Sequence, residues 1–209
     1  MISTRWSWPL RVGVLAFCLS SSVASAGLTL DGSLQLSSRL SLSEQKNYSE
    51  DMARAEKAFN SEDVVKAIKI LRGTAEKNHL PAQVRLGELL DYAEEDEEAV
   101  GWYMMAANQG YAPGEYNLGG MYAIGEGIAV ELEKAVYWIR KSADQDYLAA
   151  VKSLAHSYRT GDMGLEIDLE QARHWESKIP SLEEAYKKSV LGKVKNTDTK
   201  TETEKGKKK

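Results

Sequence analysis

Cysteine is almost missing from this sequence of 209 residues: the single one, Cys18, lies in an N-terminal stretch that reads as removable. The remaining chain is expected to hold no disulfide and no thiol chemistry, so packing alone must stabilise it. Histidine is scarce as well, and His79, His156 and His174 are too far apart in sequence to match any zinc-type spacing. No phosphate-binding glycine loop and no nucleophile elbow is present. The adjacent acids Glu183 and Glu184 point in different directions on a helix, so they cannot flank one bond. These absences argue against an enzyme, and neither a cofactor nor a metal ion is expected. Long apolar runs are lacking too, since Val12 to Leu19 is too short to span ~30 Å of hydrocarbon.

That short run nevertheless has a meaning. Arg5 and Arg11 flank it, and Ala24-Ser25-Ala26 follows, which reads as a secretory signal over residues 1–26 cleaved before Gly27. The mature protein is therefore expected to be exported, most simply to the periplasm. Cys18 sits near the place of a lipid attachment, but Phe17 before it is too bulky for that processing, so a lipid-anchored form is the less favoured reading. Residues 27–50 come next, with leucines mostly on alternate positions from Leu28 to Leu42, and predict an extended or disordered segment. It is either a spacer or a strand that adds to a partner's sheet edge.

What the sequence does have is a repeat. Ala99-x-x-Trp102, Ala135-x-x-Trp138 and Ala172-x-x-Trp175 share one frame, with 36 and 37 residues between successive tryptophans. Upstream of each alanine stands a leucine followed by a small residue, at Leu86-Gly87, Leu118-Gly119 and Leu154-Ala155. Small pairs follow the first two tryptophans, at Ala106-Ala107 and Ser142-Ala143, and a weaker first copy carries Ala67, Ile70 and Ala75. Each copy holds two apolar stretches of helical period joined by a turn, so the unit is a helical hairpin. The small residues let paired helices approach, and the tryptophans are expected to fill the core between them.

Leu118-Gly119-Gly120-Met121-Tyr122, Gly125-Glu126-Gly127-Ile128, Glu133-Lys134-Ala135-Val136-Tyr137-Trp138 and Lys141-Ser142-Ala143 resemble the Sel-one-like repeat family, a relative of the tetratricopeptide repeats. The resemblance covers roughly residues 52–180 and implies an all-α fold: a right-handed superhelical solenoid of about four antiparallel helix pairs. The second copy departs from the pattern, because only 13 residues separate Leu86 from Ala99 against 17 from Leu118 to Ala135, and its turn lacks the loop glycines. The domain plan is thus repeats over 51–180, a C-terminal capping helix over 181–191 opened by a capping box at Ser181, and a disordered basic tail over 192–209.

Charge is divided unevenly. Residues 27–186 hold 16 Lys or Arg against 28 Asp or Glu, net −12, while residues 187–209 hold 9 Lys against 3 acids, net +6. An acidic body disfavours nucleic acid as a partner, and the tail reads as a solvated segment or a weak contact with an anionic envelope surface. Glu94-Glu95-Asp96-Glu97-Glu98 lacks the alternation and glycine of a calcium loop and reads as a solvated acidic turn. Related repeat proteins commonly serve as assembly factors, so the resemblance implies an exported adaptor or scaffold of a cell-envelope complex that binds a protein or peptide in the groove of the stack. Candidate groove residues on the first helices are Arg85 and Glu88, Tyr116 and Asn117, and Ser153 and His156. The alternative, a cell-wall or carbohydrate-binding protein or hydrolase, rests on export and on aromatics such as Tyr111 and Tyr116.

Overall fold

The computed structural model describes residues 42–206, so the signal, its cleavage site and the leucine-rich stretch up to residue 41 lie outside the described residues. Among the described residues there are eight α-helices and no strand: α1 (Leu42–Asn60), α2 (Val64–Ala75), α3 (Leu80–Tyr92), α4 (Asp96–Ala107), α5 (Ala112–Ile124), α6 (Leu132–Ala143), α7 (Leu148–Thr160) and α8 (Leu169–Gly206). A 3₁₀ turn, Asp162–Gly164, interrupts the connection from α7 to α8. Through Glu184 the described residues form one compact unit; from Ala185 the chain belongs to a second, a helical stretch reaching Gly206.

The helices pair in chain order into four copies, α1/α2, α3/α4, α5/α6 and α7/α8; from α1 to α7 each packs on its sequence neighbours, and ion pairs join α7 to α8. One backbone bond recurs in every copy. The N–H of the residue at the start of the second helix donates to a carbonyl near the end of the first: Asp63 to Ala58, Glu95 to Leu90, Glu131 to Tyr122 and Asp168 to Tyr158, at 2.8–3.0 Å. The copies reach that bond by two routes. In the first two, a tight turn places Glu62 and Glu94 at φ 61° and 63°; in the last two, a longer loop starts from Gly125 and Gly161, left-handed at φ 80° and 82°. The missing glycines of the second copy therefore mark a shorter turn, as the spacing predicts. Turns between copies use a further left-handed residue each, at Asn78, Gly110 and Asp146.

The leucines and small residues of the frame are where the spacing puts them. Leu86, Leu118 and Leu154 are fully buried, as are Ala99, Ala135 and Ala172. A Cβ on Gly87 would lie 2.5 Å from the Tyr103 ring, and one on Gly119 would lie 2.6 Å from Ile139 Cγ1, so each glycine marks a place where the second helix presses onto the first. The tryptophans are less central than expected. Trp102 and Trp138 are half-buried on the flank of the core, and the residues that follow them, Tyr103 and Ile139, are the enclosed ones. Trp175 alone is buried. The indole is wide and carries an N–H, and Trp102 keeps its Nε1 at the edge to donate to Glu98 Oε1 at 3.0 Å.

Three element assignments differ from the sequence reading. Residues 42–50, expected to be extended, are the first turns of α1, where Tyr48 is buried with its ring 4.6 Å from that of His79. The proposed separate helix over 181–191 is instead the middle of α8, which runs unbroken through an exposed Pro180. Proline's fixed φ suits a helix, and the cost is the lost N–H bond, typically ~3 kcal/mol. The helical backbone also continues through residues 192–206, expected to be disordered, because extending a formed helix is easier than starting one.

Candidate partner-binding surface

Counting from the frame leucine, Arg85, Asn117 and Ser153 occupy the preceding position in α3, α5 and α7, and Glu88, Gly120 and His156 the position two residues after. The register thus aligns these positions on successive first helices. Their environments differ sharply along the stack.

In the first two copies the face is closed. Arg85 is only 4% exposed; its Nε donates to Glu56 Oε1 at 2.7 Å, Nη2 to Glu56 Oε2 at 3.2 Å and Nη1 to Glu88 Oε2 at 3.0 Å. Its guanidinium also lies 5.1 Å from the centre of the Phe59 ring. Glu56 belongs to α1, so this triad ties the first copy to the second. Arg85 and Glu88, two of the expected groove residues, are consumed in holding helices together. In the third copy Tyr116 is buried too, edge-on to Tyr147 at 5.6 Å. The sequence gives no sign of this at Arg85 itself, but Glu56 precedes Glu88 by 32 residues, about one copy, and that spacing is the available signal.

In the last two copies the face opens. Asn117 and Ser153 are half-buried and His156 is exposed, with its Nε2 3.1 Å from Asp162 Oδ2. Between them Gly120 is itself buried, although nothing stands within 4 Å of where a Cβ would be, so the helix surface has room for a small side chain there. Sequence reasoning passed over Gly120, although a second glycine after Gly119 exceeds what the frame requires. The far edge of α7 is bounded by ion pairs to α8, Lys152 with Glu183 at 2.6 Å and Arg159 with Glu176. The accessible part of the face is therefore Asn117, Ser153 and His156, around the buried Gly120.

Elsewhere the charges are used in joining helices, within copies and between them. Arg72 on α2 forms a forked pair with Glu98 on α4, and that contact raises the guanidinium's pKa and lowers the carboxyl's. Glu115 is wholly buried at the start of α5 and is held by Lys141 Nζ at 3.1 Å and by the Gln145 amide at 2.6 Å. His79 caps α3: its Nδ1 accepts from the Ala82 N–H at 3.2 Å, and burial pushes the imidazole's pKa below its ordinary value. Among the described residues, no group of three or more His, Cys, Asp or Glu is placed to share a metal ion, and no helix is long and apolar enough to cross a membrane.

The profile of the Sel1 repeat family matches residues 80–111, 112–147 and 149–175, the last three helix pairs. The chain carries Sel1 repeats. A crystal structure of a Sel1 repeat protein from Oxalobacter formigenes is 27% identical with a TM-score of 0.58, over 66% of this chain and 60% of that one. A protective antigen of uropathogenic Escherichia coli strains with an SLR fold is 28% identical with a TM-score of 0.57, over 68% of this chain and 33% of its own. The chain thus spans less than two thirds of the length of either. No curated protein matches the sequence. Sel1 repeats generally mediate binding between proteins, on a fold that is generally non-catalytic. The pair α1/α2 lies before the matched residues and joins the Sel1 array through Arg85.

Proposed function

We propose that this protein is an exported adaptor or assembly scaffold of a cell-envelope complex, expected in the periplasm, which holds a protein or peptide against the first helices of its third and fourth copies. The observation that carries the reading is the accessible strip of Asn117, Ser153 and His156, beside a closed strip where the same positions are spent on an ion triad. The lack of a side chain at Gly120 leaves space beside the strip, and Asn117 and Ser153 offer donors and acceptors on either side. Export is supported by the basic, apolar and small-residue order of residues 1–26.

The test uses His156→Trp. An indole there covers the strip from a side chain that is already exposed. A photo-crosslinker at Ser153 should capture one envelope protein in the wild-type background and lose it with His156→Trp, at an unchanged melting temperature. Capture that survives the block would place binding elsewhere. Fractionation with N-terminal sequencing checks export separately, with Gly27 expected as the first residue of the mature chain.

A further inference from the structure

A different edge of the stack carries a surface that the adaptor reading does not use. In each copy, the residues flanking the start of the second helix lie at the outer end of the intra-copy turn. In the second copy they are acidic, Glu94 and Asp96 around Glu95; in the third they are Val130 and Leu132 around Glu131; in the fourth, Ile167 and Leu169 around Asp168. The four aliphatic side chains are 40–65% exposed. Two equivalent contacts show that these turns form one continuous edge. A Cβ on Gly127, in the third copy's loop, would lie 2.4 Å from the backbone of Asp96, and one on Gly164, in the fourth copy's turn, would lie 3.4 Å from Leu132 Cδ1. Each copy's loop therefore leans on the helix start of the copy before it, and the acidic turn runs directly into the aliphatic ladder.

Exposed aliphatics repeated at one position of consecutive copies mark a contact surface rather than scattered surface residues. Their neighbour on the same edge decides the partner's charge. Glu94, Glu95 and Glu97 are exposed there, on a body of net −12. Another copy of the same edge, or an anionic lipid surface, would be repelled by that charge. We infer that this edge docks a protein segment bearing aliphatic side chains followed by a cluster of lysine or arginine, its apolar part over the third and fourth copies and its basic part over the second. Helices of adjacent copies pack ~8–10 Å apart, and an extended chain advances ~3.3 Å per residue, so the two parts need only a spacer of a few residues.

The inference is independent of the open strip on the first helices and is tested separately. The probe is a fluorescein-labelled peptide, Leu-Val-Leu-Ser-Gly-Ser-Lys-Lys-Arg, titrated with the mature full chain and read by anisotropy. Binding should be detectable, should weaken as salt rises, and should be lost when the basic residues are replaced by glutamate or the aliphatic ones by serine. The variant Val130→Ser/Leu132→Ser/Ile167→Ser/Leu169→Ser should bind about tenfold more weakly or worse. Glu94→Gln/Glu95→Gln/Glu97→Gln should bind more weakly and lose most of the salt dependence. Circular dichroism melts check that both variants fold, and Val130→Ser/Ile167→Ser serves where the fourfold variant does not. Equal binding by wild type and both variants, or equal binding of the glutamate peptide, overturns the proposal. So does self-association by sedimentation that the serine variant abolishes, which gives the edge to a second copy. Binding seen only after residues 190–209 are removed overturns it too, since the chain's own tail would then be the occupant.

Discussion

A methyl group on Gly119 would stand 2.6 Å from Ile139 Cγ1 and 3.0 Å from the Ala135 carbonyl oxygen, whereas one on Gly120 would meet nothing within 4 Å. Gly119→Ala should therefore destabilise by about 1–3 kcal/mol through overpacking, and Gly120→Ala should stabilise by about 0.5–1 kcal/mol by removing a flexible residue from a helix. Urea denaturation of the two variants tests the contrast, and a common sign would contradict the packing described. At Arg85 the expected loss is larger. Removing the guanidinium leaves Glu56 and Glu88 enclosed without their counter-charge, so Arg85→Ala should cost about 3–5 kcal/mol in the same assay. His79 adds a pH dependence of definite sign. Burial holds the folded imidazole below its ordinary 6.5, so the unfolded chain binds the proton first. The stability it contributes is complete above 6.5 and is lost as pH falls towards and through the lower folded value. Protonation also ends acceptance of the Ala82 N–H and sets a positive charge at a helix N-terminus. His79→Asn keeps a capping acceptor that does not titrate, so melts on the two sides of pH 6.5 should differ in the wild type and converge in the variant.

The two turn designs explain how the hairpins are joined and what limits them. Gly127 is left-handed at φ 64°, and a Cβ on it would collide with the Asp96 backbone at 2.4 Å, which no side-chain rotation can relieve. Gly127→Ala should lower the melting temperature more than Gly120→Ala raises it, and hydrogen exchange at the start of α4 should quicken. Helix pairs were legible in the sequence because leucine, small residue and alanine recur at fixed distances, and only a close-packed hairpin requires all three. Which neighbour of the alanine points inward was not legible, since Trp138 and Ile139 are both apolar and adjacent positions differ by a fraction of a helical turn. The start of α1 was hidden for a similar reason. Alternating leucines suggest a strand, whereas Tyr48 becomes informative only once His79 is known to lie against it. Arg85 looked like a surface charge because its main counter-ion, Glu56, is in the copy with the weakest frame.

Among the described residues the main helix contacts between copies run from each copy to the next, so stability should be graded along the stack rather than shared evenly. Native-state hydrogen exchange should find the slowest amides in α4, α5 and α6, which have packed helices on both sides, and faster exchange in α1 and α8. Uniform protection would mean that the whole array opens at once. Separate copies can also be watched. The matched copies each hold one tryptophan, and the three differ in surroundings: Trp102 bonded to a carboxylate, Trp138 beneath the Lys141 ammonium at 4.8 Å, and Trp175 buried beneath that of Lys178 at 5.0 Å. An indole closed off from water emits at shorter wavelength than one half in contact with it. Chains that keep only one of these tryptophans would therefore carry an intrinsic fluorescent reporter for a single known copy, and a partner's footprint could be followed along the stack without an added dye.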